Sequence, residues 1–438
     1  MNHVLILGAG MVVKPMAEYL LEKNFFVTIA SRTLSKAEAL LDNHPNGTAV
    51  AWTVDQADKL DEMVASHDLT VSLLPYTHHV TVAEICLKHG KNLVTTSYVS
   101  PAMKALDAKA KEAGLTFLNE IGLDPGIDHM TAQQFIDKTK AQGGEIEAFY
   151  SICGALPAPE ASDNPLRYRF SWSPKGVVMA SNNGARFLKD SQVVELPTEQ
   201  LFAEPIKENF PGVGDLEIYP NRDSLSYVEL YGIPETKTMY RGTFRYPFWC
   251  ETLHALKQLG LTIDKPVQAD GLSYAGFTEA VCGASTAEAV AEKLGLATDS
   301  PAIKAIAWLG FFDEKSLPYS GTTSPFEVLS DLMIEKMMLG KGERDMVVMQ
   351  HIFTVKKSDR SREETRLRLL DFGDKKHTSI AKTVAWPAAI AVEMILNKEL
   401  DVPGVHIPLI KEIYEPVLDG LAKMGIEMTE ETKEVALA

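Results

Sequence analysis

Six short runs rich in apolar and β-branched residues, HVLILG, FFVTIA, GTAVAW, LTVSLLP, KNLVTT and LTFLNE, punctuate the first third of the chain. Between them apolar positions fall three and four residues apart, as in PMAEYLLEKN, LSKAEALLDN, DQADKLDEMVAS, TVAEICLKHG and PAMKALDAKAKEAG. Strand-like runs that alternate with helix-period stretches mark a series of βα units. Strands joined by helical crossovers run parallel and bury both faces of their sheet. Right-handed crossovers wind them into an open twisted sheet whose ligand lies at the strands' carboxyl ends. The expected Rossmann-type domain covers residues 1–124.

From about Glu145 the pattern changes. The strand-like runs EIEAFYSICGAL, TKTMYRGTFRYP, RDMVVMQHIFTV and TRLRLLDFG are separated by longer connections than βαβ units need, which predicts a second, mixed sheet. The helix-period segments ETLHALKQLG, STAEAVAEKLG, SPAIKAIAWLGFF and PFEVLSDLMIEKMML interrupt it with scarcely a strand signal. Residues 251–342 therefore read as an all-helical insertion, and the second α/β domain as 125–250 with 343–379. The tail, about 380–438, is helical again, and the apolar TVAWPAAIAVEMILN is expected to pack back on the first sheet.

Composition narrows the classes. A chain of 438 residues, 45% hydrophobic and 23% charged, has room for two or three globular domains. Its net charge of −16 is spread along the chain, so no nucleic-acid partner is expected. The opening HVLILGAGMVV lacks the basic region and cleavage site of a signal peptide. The apolar run in the tail falls short of the roughly 20 residues of a membrane span and contains Pro387, so no membrane partner is expected either. Cys86, Cys153, Cys250 and Cys282 are far apart and form no Cys-x-x-Cys pair, which suits a reducing, cytoplasmic setting.

Candidate chemistry starts at Gly8-Ala9-Gly10-Met11-Val12-Val13, where glycines follow a strand and open a helix. Such a turn lets backbone N–H groups meet a pyrophosphate at the positive helix end. Val13 stands where a third glycine is usual, and a plain strand-to-helix turn is the competing reading. The βα series that follows favours the dinucleotide. Past the second strand, Ser31, Arg32 and Thr33 stand where an NAD enzyme carries an acid for the ribose 2′-hydroxyl. A guanidinium forks onto a 2′-phosphate, so NADP(H) is favoured over NAD(H). Pro75 and Thr77 in LLPYTHH, and Ser97 and Tyr98 in TTSYVSP, follow the fourth and fifth strands at the same edge. A helix cap and a packed aromatic account for Ser97 and Tyr98 equally well. His78 and His79 have no carboxylate or thiolate cluster beside them, so they read as solvated or loop-packing residues and no metal site is expected.

In this order and spacing, GAGMVV, ASRT, SLLPYT, VTTSYVSPAM, NEIGLDPGIDH, CGALPAPEASDNP, FSWSPKGV, YPNRDS and YRGTFRY resemble the saccharopine reductases, the NADP-dependent, glutamate-forming saccharopine dehydrogenases. The resemblance runs on to KEIYEPVLDGL. It implies an α/β protein with a Rossmann domain completed by carboxyl-terminal helices, a mixed-sheet substrate and dimerisation domain, and a helical insertion. It also implies a homodimer whose small-molecule partners are saccharopine, glutamate and aminoadipate semialdehyde, interconverted with NADP(H) through an imine and a hydride transfer.

The same resemblance assigns residues. Cofactor contacts would come from Gly8, Ala9, Gly10, Met11, Val12, Ser31, Arg32, Thr33, Leu74, Pro75, Thr77, Thr96, Ser97, Leu123, Asp124 and Pro125. Substrate contacts would come from Ser97, Tyr98, Asp124, Arg222, Thr243, Phe244 and Arg245, with Asp124, Cys153 and Tyr98 as acid–base groups near the secondary amine. Saccharopine has three carboxylates, which Arg222 and the Arg241/Arg245 pair suit, although structural salt bridges would equally occupy each arginine. Strand alternation puts residues 241, 243 and 245 on one face. In NEIGLDPGIDH, Gly122, Pro125 and Gly126 shape the turn, and Asp128 is expected to cap the next helix. Ala385-Trp386 departs from the family pattern, which has a glycine and a smaller apolar residue there. Two other readings share the fold: a carboxynorspermidine or carboxyspermidine dehydrogenase of polyamine synthesis, and a non-catalytic NADP-binding regulatory protein.

Overall fold

The computed structural model describes residues 2–435. It forms two compact units, one of residues up to Gln142 with Gly373–Thr429, the other of Gly143–Phe372 with the residues from Glu430.

The first unit is built on a seven-stranded sheet. Its order is Gly404–His406, Thr116–Leu118, Asn92–Val94, Leu69–Ser72, His3–Leu7, Phe26–Ser31, Gly47–Ala51. Each neighbouring pair is parallel. The chain winds outward from His3–Leu7 to one edge, returns at Leu69–Ser72 and winds to the other, which makes that pair the switch point. Val4, Leu5, Ile6 and Leu7 are wholly buried, as apolar runs covered on both faces must be. Six of these strands follow the apolar runs seen in the sequence. The seventh, Gly404–His406, sits between Pro403 and Pro408 and shows no strand-like run.

The helix Ser379–Leu396 does pack back on this unit. Its Glu393 accepts from the Tyr19 hydroxyl at 2.5 Å and meets the Lys23 ammonium at 2.8 Å, one within and one at the carboxyl end of the helix Lys14–Glu22 that follows the G-x-G loop. By length and composition this helix is apolar enough to cross a membrane, yet 78% of it is buried inside the protein, as a core helix would be. Helix Ile127–Ala141 also belongs here, although the sequence reading opens the second domain at residue 125. The Tyr414 hydroxyl of helix Lys411–Lys423 donates to its Asp137 at 2.7 Å.

The second unit holds a nine-stranded sheet. Its main path runs Ile206–Phe210, Gly214–Pro220, Thr238–Arg245, Glu145–Pro157, Asp345–Lys356, Arg362–Phe372, Thr429–Val435, with the hairpin Ala185–Lys189/Gln192–Leu196 attached to Thr238–Arg245. Thr238–Arg245 is parallel to Glu145–Pro157, while Gly214–Pro220 and Asp345–Lys356 pair antiparallel on either side, so the sheet is mixed. The sequence pattern predicts neither the hairpin Ala185–Lys189/Gln192–Leu196, nor the hairpin Ile206–Phe210/Gly214–Pro220, nor the strand Thr429–Val435. Thr429–Val435 is exposed along its length and Ala185–Lys189, Gln192–Leu196 and Ile206–Phe210 are mostly exposed or half-buried, while Gly214–Pro220 is buried from Leu216 onward without polar alternation.

Helices Trp249–Gln258, Tyr274–Cys282, Ala287–Leu294, Pro301–Leu309 and Pro325–Met337 fill the segment read as an insertion. They share the sheet's core: Ile152, Leu216 and Phe244 are continuous with Leu253, Ile306 and Leu329. Two strands of the sheet are also tied at one end by charge. Both oxygens of Glu147, on Glu145–Pro157, take hydrogen bonds from Arg362 of the strand Arg362–Phe372, at 2.5 and 3.0 Å, and Lys237 approaches at 3.1 Å.

Hydrogen bonding from Arg362, then the Lys237 contact, holds the Glu147 carboxyl down at about 2 against an ordinary 4.5. A depressed carboxyl stabilises the fold above its unfolded pKa and loses that contribution as pH falls through the folded value. Glu147→Gln is expected to lower stability by about 1 kcal/mol at neutral pH. In urea titrations at several pH values, the gap between the two proteins should close between pH 4.5 and about 2.

Candidate active site

The carboxyl edge of the parallel sheet gathers the loops of the first unit. Gly8 has φ +115°, and a Cβ there would lie 2.9 Å from the Leu73 carbonyl oxygen, so glycine is required by the neighbouring loop. Gly10 answers to a different demand. A Cβ at Gly10 would meet nothing within 4 Å, and the helix Lys14–Glu22 that follows has no side-chain cap. Its first-turn N–H groups thus face an open cradle suited to an anion. Val13, in the third glycine position, is wholly buried and serves the core.

At the end of Phe26–Ser31 the Arg32 side chain is exposed and forms no ion pair with a described residue, as a 2′-phosphate ligand requires. Beside it the Ser31 hydroxyl accepts from the Thr33 N–H at 3.3 Å. After Leu69–Ser72 come half-buried Leu74 and exposed Pro75 and Thr77, with Tyr76 between them at 72% exposure. Met11, at 48%, is the exposed apolar residue of the G-x-G loop. Open cradle, free cation and exposed apolar side chains together fit a phosphorylated dinucleotide. Tyr76 was absent from the sequence reading.

Ser97 is held from below. Its hydroxyl meets His79 Nε2 at 2.8 Å, and His79 Nδ1 meets the Ser72 hydroxyl at 2.8 Å, with Thr95 at 3.3 Å. Burial, with the neighbouring His78, pushes the His79 imidazole down to about 4, so it is neutral at physiological pH. His79 is thus neither solvated nor a plain packing residue but a hydrogen-bonding link beneath a candidate site residue.

NEIGLDPGIDH closes on itself. Gly122 N–H donates to the Pro125 carbonyl at 3.0 Å, and the Ile127 and Asp128 N–H groups donate to Gly122 and Leu123 at 2.9 and 3.0 Å. The Asp124–Pro125 peptide is cis. Gly126 has φ +148°, and a Cβ on it would fall 2.0 Å from the Gly122 carbonyl oxygen, so no other residue fits. Leu123 and Pro125 are buried, and Thr96 packs against Gly122. Asp124 is partly exposed and accepts the Tyr98 hydroxyl at 3.1 Å, which brings two of the assigned acid–base groups together. Asp128 is not the N-cap. Gly126 occupies that position, and Asp128, inside the first turn, reaches back to the Gly126 N–H at 2.6 Å.

In the second unit the register aligns the other candidates. Thr243 pairs with Cys153 on one side and Tyr219 on the other, and Arg245 follows two residues along, on the same face as Thr243. Arg245 is 4% exposed, and its guanidinium carbon lies 4.9, 5.7 and 5.2 Å from the ring centres of Tyr168, Tyr219 and Trp249. It donates from Nη1 to the Phe244 carbonyl at 2.8 Å, while Nε has no hydrogen-bond partner among the described residues. Glu217 lies opposite in register, but its carboxylate accepts from the N–H groups of Phe248 and Cys250 at 3.3 and 3.2 Å. No carboxylate among the described residues pairs with this guanidinium. A buried charge so placed is costly until an anion arrives.

The remaining candidates separate. Arg241 donates to the Tyr227 hydroxyl at 2.5 Å and lies over its ring, so it anchors a neighbouring helix. Phe244 points to the opposite face, wholly buried against Phe210 and Gly154. Alternation along the strand denies its side chain the face of Thr243 and Arg245, so the expected contact is left to its backbone. Arg222 is exposed, with φ +55°, and lines a cleft of about 470 Å³ with Arg186, Glu195 and Asp223. That cleft does not include Thr243 or Arg245. Tyr168 and Trp249, which frame Arg245, carried no signal in the sequence reading.

Residues 4–118 match the family model for the saccharopine dehydrogenase NADP binding domain, and residues 122–426 that for the saccharopine dehydrogenase C-terminal domain. Over 98% of its length the chain is 41% identical to saccharopine dehydrogenase (NADP(+), L-glutamate-forming) of Schizosaccharomyces pombe, covering 99% of that protein. It is 38% identical to mitochondrial alpha-aminoadipic semialdehyde synthase of Bos taurus, with 98% of this chain matching 47% of that longer protein. The solved apo structure of histidine-tagged saccharopine dehydrogenase (L-Glu forming) from Saccharomyces cerevisiae shares 35% identity, with a TM-score of 0.91 over 99% of this chain and 100% of that one. A nucleotide cradle with a free arginine and a buried cation awaiting a carboxylate are what such an enzyme needs, and with matches of this length the chain belongs to the saccharopine dehydrogenase family.

Proposed function

We propose that this chain interconverts saccharopine with L-glutamate and L-2-aminoadipate 6-semialdehyde, using NADP(H). The observation that carries the reading is Arg245, a buried guanidinium with no carboxylate partner among the described residues, on the sheet face that also bears Thr243 and Cys153. Full-length relatives named for the NADP-dependent, glutamate-forming reaction support it and lend nothing to the polyamine or non-catalytic readings.

In the oxidative direction the secondary amine of saccharopine loses a proton and a hydride, water adds to the resulting imine, and the carbinolamine breaks its C–N bond to release glutamate and the aldehyde. Bound NADP+ supplies the hydride acceptor. Asp124 takes the amine proton and later returns it to the departing glutamate nitrogen, and the Tyr98 hydroxyl steadies the carboxylate from 3.1 Å. Arg245 holds a substrate carboxylate, with Cys153 and Thr243 beside it, and family resemblance alone keeps Arg222, which lines a separate cleft, as a second carboxylate ligand. Gly8 to Val12, Ser31 to Thr33, Leu74, Pro75, Thr77, Thr96, Ser97, Leu123 and Pro125 bind the cofactor. We further infer a homodimer in the cytoplasm. Family resemblance supports the first, and four buried free cysteines suit the second.

Saccharopine with NADP+ should yield NADPH absorbance in the presence of the purified protein, and no turnover with saccharopine would sink the assignment. Arg245→Lys keeps a charge but loses the fork, so the KM for saccharopine should rise at least about tenfold with a smaller change in kcat. Arg32→Ala should cost about 10- to 100-fold in kcat/KM for NADP+ and leave that for NAD+ unchanged. Light scattering on the pure protein decides between a dimer and a monomer.

A further inference from the structure

Tyr98 and Asp124 lie on separate loops, and a third residue, assigned no role above, joins them. Glu120 is 5% exposed and has φ +58°, a left-handed conformation unusual for a residue with a side chain. Its own N–H donates to the Ser97 carbonyl at 3.2 Å, and its Oε1 accepts from the Val99 N–H at 2.8 Å. The two peptide groups flanking Tyr98 are thus both bonded to one residue. The second oxygen, Oε2, meets Nε2 of His129 at 2.8 Å. His129 is wholly buried in the first turn of helix Ile127–Ala141, directly after the Asp124 turn.

The chain of contacts forms a closed frame. It runs from Tyr98 through its flanking peptides to Glu120, on to His129, back through the Gly122–Gly126 turn to Asp124, and returns by the Tyr98 hydroxyl. Charge-assisted bonds of this length in a dry interior are stiff, and a side chain held from both ends keeps its orientation. A displacement of about 1 Å at a proton-transferring pair is enough to cost rate heavily.

We propose that Glu120, anchored by His129, is a positioning residue that sets the Tyr98 hydroxyl against the Asp124 carboxylate. The proposal rests on the activity reading above. It assigns Glu120 no contact with substrate or cofactor.

The test is steady-state saccharopine oxidation by wild type, Glu120→Asp, Tyr98→Phe and the double variant, with NADPH binding by fluorescence as the check on folding. Glu120→Asp keeps the charge but is one methylene too short to span Val99 and His129. Its kcat should fall at least tenfold, with KM for saccharopine and NADPH affinity within about threefold of wild type. Because the effect runs through the Tyr98 hydroxyl, adding Glu120→Asp to Tyr98→Phe should cost less than threefold more. A wild-type kcat in Glu120→Asp, or a full tenfold further loss in the Tyr98→Phe background, overturns the proposal. Should Glu120→Asp fail to bind NADPH, Glu120→Gln is read instead. It keeps the acceptor for Val99 and weakens the His129 contact, so a three- to tenfold loss with the same non-additivity is expected, and wild-type kcat overturns the proposal. Wild type inactive on saccharopine would remove the activity reading itself, whereas an active wild type with indifferent variants removes only the role of Glu120.

Discussion

Parallel pairing is the constraint from which the first unit's chemistry follows. Seven strands that run one way must present all their carboxyl ends at one edge. Loops distant in sequence, from Gly8 through Arg32, Pro75 and Tyr98 to Asp124, are thereby collected along that edge. The strands beneath them are buried and continuously bonded, so the loops can hold unusual backbone geometry without loss of the frame. Gly126, whose Cβ would overlap Gly122, and Glu120, in a left-handed conformation, are both placed where two such loops meet.

The second unit solves a different problem, which is how to keep a buried cation unneutralised. Glu217 is the cross-strand partner of Arg245 and the obvious counter-charge. It is instead committed to the N–H groups of Phe248 and Cys250, at the amino-terminal end of helix Trp249–Gln258, where the helix field favours a carboxylate. Burial, reinforced by Glu217, pushes the Cys250 thiol well up, so that cysteine stays neutral and adds no negative charge near Arg245. Three aromatic faces surround the guanidinium and give partial electrostatic compensation. The unfavourable term left over is available to an incoming carboxylate.

The two units also differ in how plainly they are written in the chain. His3–Leu7 and Leu69–Ser72 are buried on both faces, so their composition alone marks them as strands. Thr429–Val435, exposed along its length, and the hairpin of Ala185–Lys189 with Gln192–Leu196 have no such composition to show. They are strands because a neighbouring edge offers hydrogen bonds, a property of the assembled sheet. The helices between residues 249 and 337 are legible as helices, but their joining of the sheet's core is not, because an amphipathic stripe does not name the surface it will cover.

By itself the sequence determined the βα series, the glycine turn before the first helix, the arginine where an acid would select NAD(H), and the strand phase that sets Thr243 and Arg245 on one side. These depend on local sterics and on periods of 2 and 3.6, which a chain carries without reference to its partners. Tertiary structure alone decided that Arg241 is anchored to a neighbouring tyrosine and Arg245 is not, that Gly126 and not Asp128 caps the helix, and that His79 and Glu120 brace Ser97 and Tyr98. Those outcomes turn on which polar group reaches which partner, and desolvation sets the worth of each contact only after the chain has closed around it.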